Sequence, residues 1–359
     1  MKLPDFMHGV QIIKYGPSQE ALEYNTEIPL PTIKNPHQVL VKVKAAGVNP
    51  VEVKVTSGNI KGLSSAILSF PSIIGADFSG VIAEKGDQVN EFELGDEVFG
   101  SLPLPFGCDG TYAQYTLVDI RKSSIAKKPS NVSFEQAASA GIALLTAYQG
   151  VVNHGDITDR NKGQERSFLI VGASGGVGSY AIQVAKAINP NNYVVGICSG
   201  KNVEFVKSLG ADRVIDYKNE EQYYKFLENR KGSFDFVFDC VGGDAYYEQL
   251  NPLLSKKGVY STAVGPVEHF GSEPVGLMTG LNSMSKVIYR RFFASRTYKS
   301  VLSLPHDEFR SQIAPLFSQD IKFMVVNNDN IIPLKDAHIA HEKLLAHRVV
   351  GKIVLSVDQ

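Results

Sequence analysis

The stretch FLIVGASGGVGSYAIQVAKAI, residues 168–188, constrains this chain more than any other. An apolar strand runs without interruption into Gly172, Ala173, Ser174, Gly175, Gly176, Val177 and Gly178, and from there into an amphipathic helix. Downstream, segments rich in β-branched or aromatic residues (168–172, 193–199, 213–217, 234–241 and 258–264) alternate with helical patterns at 177–188, 203–209, 221–230 and 245–254. Near-continuous apolar strands separated by helices predict a parallel sheet covered on both faces, so this part of the chain reads as a doubly wound α/β domain.

The first third has another texture. Short extended segments at 7–15, 38–46, 79–84 and 111–118 are broken by Gly, Pro and Asn. In the second of them Val39, Val41 and Val43 alternate with Leu40, Lys42 and Lys44, the period of a half-buried strand. This part reads as a compact, mostly antiparallel β domain. Ser133 and Gln136 have capping-box spacing and open an Ala-rich helical stretch ending near Gln149. Residues 275–305 read as less regular and basic, with aromatic residues between the cations. They predict an interdomain or subunit face or, alternatively, a flexible element at a substrate or a membrane surface.

At 359 residues the chain exceeds what one core usually organises, which predicts two domains. Its formal net charge of −1 supplies no overall field for nucleic acid, so a small molecule is the expected partner. Cys108, Cys198 and Cys240 lie too far apart for a CxxC clamp or a disulfide framework. No stretch approaches the ~20 apolar residues of a spanning helix, and no address is visible. These features predict a cytoplasmic protein.

The glycine turn, the strand before it and the helix after it form the context a dinucleotide pyrophosphate requires. Gly175 lets the backbone approach the phosphates, Gly178 lets helix and strand pack, and the helix N-terminus offers free N–H groups. Ser174, Gly176 and Val177 complete the loop, with Ala173 where the first glycine of the motif usually stands. At the end of the next strand, where an acidic residue would hold the ribose of NAD, the sequence is Cys198-Ser199-Gly200-Lys201-Asn202. A hydroxyl on Ser199 and an ammonium on Lys201 suit a 2′-phosphate, which predicts NADPH.

The chain resembles the zinc-free quinone oxidoreductase branch, the zeta-crystallin-like one, of the medium-chain dehydrogenase/reductase superfamily. It looks nearest to chloroplast-envelope quinone oxidoreductase homologues and their fungal and mitochondrial relatives. The resemblance rests on GVNPVEVKVTSG (47–58), PSIIGADFSGVIAEKG (71–86), GDEVFG (95–100), LLTAYQGV (144–151), GASGGVGSYAIQVAK (172–186), VKSLGADRVIDY (206–217), FDFVFDCVGG (234–243) and GKIVL (351–355). It implies a GroES-like catalytic domain at 1–130, a Rossmann NADPH-binding domain at 131–305, and a C-terminal segment, 306–359, that completes the first. It also implies a homodimer.

Zinc alcohol dehydrogenases of this superfamily carry a Cys ligand in the segment matching Gly47-Val48-Asn49 and a His ligand in the segment matching Gly75-Ala76-Asp77. Asn49 and Ala76 stand there, and only Cys108 lies where a four-cysteine structural lobe would be, so no metal is expected. The resemblance further implies that Asn49 and Thr146 approach the nicotinamide and that Val241 and Gly242 line its pocket. It places Tyr217 and Arg348 at the adenosine-phosphate end. Gly141 and Leu144 replace the Leu-Pro step and glycine that often precede the family's Thr-Ala.

Without a metal, catalysis must come from placing the nicotinamide C4 against an electron-poor carbon or quinone. Lys54, at the spacing after Asn49-Pro50 found in related enone reductases, is the candidate cation for a substrate carbonyl. The expected activity is hydride transfer from NADPH to a quinone or an α,β-unsaturated carbonyl. A low-turnover NADPH-binding partner or sensor, acting at a membrane, RNA or protein surface, is the alternative.

Overall fold

The computed structural model describes residues 3–65, 68–103, 109–267, 273–304, 307–319 and 328–358. The chain divides into two compact units. One comprises residues 1–145, 304–319 and 323–359, and the other residues 146–303 and 320–322.

The first unit is built on a seven-stranded sheet. Its longest strand, Gln38–Val48, pairs antiparallel with Asp77–Lys85, Tyr115–Asp119 and Ile353–Ser356. Pairing through Ile353–Ser356 sews the C-terminal segment into the N-terminal sheet. Gln38–Val48 is central and Leu40, expected on its exposed face, is buried with Val39, Val41 and Val43, because both faces of the sheet are covered. A three-stranded sheet of Phe6–Ile12, Leu22–Pro29 and Ser72–Ile73 completes the β structure.

The helical stretch expected from Ser133 to Gln149 is two helices. Phe134–Ala138 carries the predicted capping box, in which Gln136 N–H donates to Ser133 Oγ at 3.2 Å. A second helix, Gly141–Tyr148, runs on into a wider turn, Gln149–Asn153. The break exists because the buried Asp77 carboxylate takes the Ile142 N–H at 2.7 Å. A Cβ on Gly141 would lie 2.2 Å from Asp77 Oδ1, so the residue that departs from the family's Leu-Pro step is the one that admits this carboxylate. Residues 131–145 therefore belong with the β unit rather than with the parallel-sheet one. Ser79 Oγ, donating to Phe134 O at 2.6 Å, ties them down further.

The second unit is a six-stranded parallel sheet in the order Arg213–Asp216, Tyr193–Cys198, Ser167–Val171, Phe234–Asp239, Leu254–Thr262, Thr297–Ser300. The strand that comes first in the chain lies inside the sheet, and the chain winds outward to one side and then to the other. The C-terminal end of that first strand is therefore the switch point of the sheet, where the connections on its two sides part. Leu169, Val171, Val195, Ile197, Val237 and Tyr260 contribute to a core that is continuous across the sheet.

Residues 275–304 differ from the irregular segment expected. They hold a 17-residue helix, Leu277–Phe293, followed by the edge strand Thr297–Ser300, while Pro305 lies outside the described residues. The sequence concealed this helix because its apolar residues lie on its exposed side. Among the described residues no helix is long and apolar enough to cross a membrane.

Candidate active site

The glycine turn of the second unit stands at the sheet's switch point. Gly172 ends its strand with φ +71°, a conformation glycine adopts without a Cβ penalty, and its carbonyl accepts the Gly175 N–H at 3.0 Å. Gly175 then caps the helix Gly176–Ile188, in which Val177 follows Gly176. A Cβ on Gly178 would sit 2.3 Å from Gly172 O, so helix and strand are packed as closely as glycine allows. A Cβ on Gly175 would meet only Gly172 O, at 3.4 Å, which leaves that side of the turn open for a pyrophosphate.

Ala173 in place of the first motif glycine is accommodated across the sheet. Gly196, on the neighbouring strand, presents no side chain to it, and a Cβ there would be 3.0 Å from the Ala173 methyl. Ser174 Oγ accepts from Asn202 Nδ2 at 2.9 Å, which ties the phosphate turn to the turn after the next strand. That second turn carries Ser199, nearly buried, and Lys201, exposed to solvent. Tyr217 is 42% exposed at the end of the adjacent strand.

Sequence reading missed a carboxylate here. Cys198 pairs with Asp216 across the two strands, and a Cβ on Gly200 would lie 2.3 Å from Asp216 Oδ2. The turn after this strand is therefore faced by an acid, supplied by the neighbouring strand and not by the one on which it is normally sought. Asp216 Oδ1 is occupied by the Lys218 N–H at 2.9 Å. Burial and the Asp216 charge together push the Cys198 thiol up to about 11.

A second missed residue organises the loop containing Val241 and Gly242. Asp239, 1% exposed, accepts both of their N–H groups on Oδ1 at 2.9 Å and the Tyr260 hydroxyl on Oδ2 at 3.0 Å. Burial pushes the Asp239 carboxyl upward, opposed by these bonds. Thr262, its partner in register, repeats the device by accepting Val264 N–H and Gly265 N–H on its hydroxyl. Two adjacent strand ends thus hold their following loops from within. Thr146 is buried and its hydroxyl bonds Ser303 Oγ at 2.6 Å.

In the first unit, Asn49 precedes the helix Pro50–Thr56 and lies in a buried polar cluster. Its backbone N–H donates to Glu52 Oε2 at 2.9 Å, and its Nδ2 donates to Glu52 Oε1 at 3.2 Å and to Asp77 Oδ2 at 3.1 Å. Lys352 Nζ donates to Asn49 Oδ1, to Val48 O at 3.0 Å and to Asp77 Oδ2 at 3.2 Å. Both amide hydrogens of Asn49 are consumed within the unit, so the side chain has no donor left for a ligand. Burial raises the Glu52 carboxyl to about 7, the Asp77 charge adding to the effect and Lys352 opposing it. Lys54 lies on the same helix, and burial brings its ammonium down to about 8. Arg348 lies exposed just beyond the turn that follows the helix Ala337–Leu345.

These residues do not suit a catalytic zinc. Asn49 is locked by four hydrogen bonds, and Ala76 has no ligating side chain, its N–H donating to Glu52 Oε1 at 3.2 Å and its carbonyl accepting Leu102 N–H at 3.0 Å. Among the described residues no cluster of three His, Cys, Asp or Glu side chains could hold a metal, and Cys108 lies outside them. His154, half-buried, and His341, fully buried, are both held in the neutral form. Burial lowers His154 to about 4 and His341 to about 3.

Residues 35–130 match the family described as alcohol dehydrogenase GroES-like domain, and residues 209–355 match the one described as zinc-binding dehydrogenase. The chain is 37% identical to the human mitochondrial NAD(P)H oxidoreductase RTN4IP1, over 96% of this chain and 88% of the relative. It is 30% identical to the chloroplast envelope quinone oxidoreductase homolog of Arabidopsis thaliana, over 97% and 98% of the two chains. The solved quinone oxidoreductase of Coxiella burnetii superposes with a TM-score of 0.78 at 29% identity, covering 98% of this chain and all of that one. The glycine turn, the strand order and these relatives together place the chain in the medium-chain dehydrogenase/reductase superfamily, among the quinone oxidoreductases and their homologues.

Proposed function

We propose that this chain transfers hydride from NADPH to a quinone or an α,β-unsaturated carbonyl compound without a catalytic metal. The observation that carries the reading is the open glycine turn at the switch point of the parallel sheet, where Gly175 and the helix N-terminus offer a pyrophosphate bare backbone. The relatives named for quinone reduction and for NAD(P)H point the same way.

When bound, NADPH supplies the hydride from its nicotinamide ring. The chain's own residues bind and orient. Gly172, Gly175 and Gly178 shape the turn for the pyrophosphate, with Ser174, Gly176 and Val177 completing it. Ser199 and Lys201 take the 2′-phosphate, and Tyr217 and Arg348 serve the adenosine side. The loop with Val241 and Gly242, held by Asp239, supports the nicotinamide end, as does Thr146. Lys54 holds the acceptor's carbonyl oxygen and stabilises the negative charge that grows on it, and its lowered pKa keeps that ammonium easily discharged. We assign Asn49 the role of fixing the turn ahead of Lys54 rather than of touching substrate, because its donors are spent.

The test is NADPH and NADH oxidation across a panel of quinones and short-chain enones. The reading requires turnover with at least one acceptor class and a preference for NADPH. Tight NADPH binding without turnover on any acceptor would replace it with a cofactor-binding partner or sensor protein.

A further inference from the structure

Gly200 stands between Ser199 and Lys201, the two residues that take the 2′-phosphate in the proposed function. The space where its side chain would be is already filled. A Cβ on Gly200 would lie 2.3 Å from Asp216 Oδ2 and 3.1 Å from Asp216 Cγ, so any larger residue would collide with the carboxylate. Asp216 ends the strand Arg213–Asp216 and stands in register with Cys198, the last residue of the strand that leads into the turn. Its Oδ1 accepts the Lys218 N–H at 2.9 Å, which fixes the side chain, and Oδ2 is the oxygen turned to Gly200. Among the described residues no cation forms an ion pair with it.

The charge of Asp216 acts on the strand end beside the turn. Together with burial it pushes the Cys198 thiol up to about 11. Asn202 Nδ2 donates to Ser174 Oγ at 2.9 Å, so the turn 199–202 is itself tied to the glycine turn and the two are held in one arrangement.

NADH and NADPH differ at a single group. The first presents a neutral 2′-hydroxyl, a donor that a carboxylate accepts, and the second a phosphate carrying a charge of about −1.5 to −2. A carboxylate beside the turn favours the hydroxyl and repels the phosphate, whereas the Ser199 hydroxyl and the Lys201 ammonium do the reverse. The turn therefore holds groups of both tendencies.

We propose that Asp216 is a specificity-determining residue for the cofactor: its carboxylate, projected across Gly200 into the turn 199–202, opposes the 2′-phosphate and leaves the chain able to take NADH as well as NADPH. This rests on the reading that puts the adenosine ribose at this turn. Gly200 is part of the same device, because only glycine lets the carboxylate reach the turn.

The test is calorimetric titration of the full chain with NADPH and with NADH, in the absence of any acceptor. Wild type should bind both. Asp216→Asn keeps an acceptor for the Lys218 N–H and removes the charge, and it should raise the preference for NADPH over NADH by about threefold or more. The gain should shrink as salt is added, since screening weakens the repulsion that the substitution removes. Asp216→Ser reads the same ratio should Asp216→Asn not fold. A merely structural role would weaken both cofactors together; an unchanged or lowered ratio overturns the proposal, as does wild-type protein that binds NADPH without measurable affinity for NADH. Lys201→Ala, titrated alongside, should weaken NADPH and spare NADH. If it leaves NADPH unchanged, the 2′-phosphate lies away from this turn, which overturns the placement of the cofactor and the role of Asp216 with it. If it weakens NADPH while Asp216→Asn leaves the ratio alone, the role of Asp216 alone is overturned.

Discussion

Lys352 Nζ lies 3.2 Å from Asp77 Oδ2, and the two side chains are only 6% and 0% exposed. This pair joins the C-terminal segment to the strand Asp77–Lys85, and through Asn49 and Glu52 it fixes the turn that leads to Lys54. Removing one member of a buried pair leaves the other charge uncompensated, which costs about 3–5 kcal/mol. Lys352→Met should therefore lower unfolding stability by that order in a denaturant titration, and Lys352→Arg should recover part of it. A loss below about 1 kcal/mol in Lys352→Met would show that the pair does not hold the cluster.

Glu52 gives the protein an inverse pH dependence. Its carboxyl rises from 4.5 to about 7, so the folded state binds its proton more tightly than the unfolded state does. This stabilisation is complete below about pH 4.5 and is lost as pH climbs through 7, up to about 3 kcal/mol in all. His154 and His341, held neutral by burial, act in the opposite sense below about pH 6.5. The comparison that isolates Glu52 is the melting temperature of wild type against Glu52→Gln from pH 5 to 8. The gap between them should move in favour of the variant as pH rises, and a constant gap would contradict the assignment.

The two motif glycines should separate packing from binding. Gly178→Ala places a methyl 2.3 Å from Gly172 O and should destabilise the second unit as a whole, visible as a lower melting temperature. Gly175→Ala meets only a 3.4 Å contact and should fold normally, yet bind NADPH at least about tenfold more weakly if the pyrophosphate approaches that face. Equal effects of the two substitutions on melting would mean that the open side of the turn has been misread.

Lys54 should set the alkaline limb of the activity. Its ammonium, brought down to about 8 by burial, is the form that holds a carbonyl oxygen, so kcat/KM should fall above that pH. Lys54→Arg should move the limb to higher pH, and Lys54→Met should abolish it and reduce kcat by roughly 10²-fold or more. An unchanged profile in Lys54→Met would exclude the residue from the acceptor site.

Much of this was legible in the sequence where a pattern and its cause coincide. The strand, glycine turn and helix from Ser167 to Ile188 announce themselves because phosphate binding and close packing both demand glycine there. Relations set by the sheet rather than by neighbours in the chain were hidden. Asp216 reaches Gly200 from an adjacent strand, and Asp239 holds its loop by bonds whose donors look unremarkable in the sequence. The break at Ser139 and Ala140 was equally invisible, because its cause is Asp77, far away in the chain. Leu277–Phe293 escaped for the reverse reason. Its periodicity is that of a helix with its apolar residues outward, so a reading that assigns apolar residues to the core finds no element there.

The most direct test of the central claim follows a deuterium label from C4 of NADPH in chelator-treated protein supplied with quinone and enone acceptors. The account predicts that the label appears on the reduced enone at its β-carbon or that quinone is reduced at a rate slowed by the deuterium, with added zinc making no difference. Failure to turn over any acceptor, or turnover that the chelator abolishes and zinc restores, would contradict it.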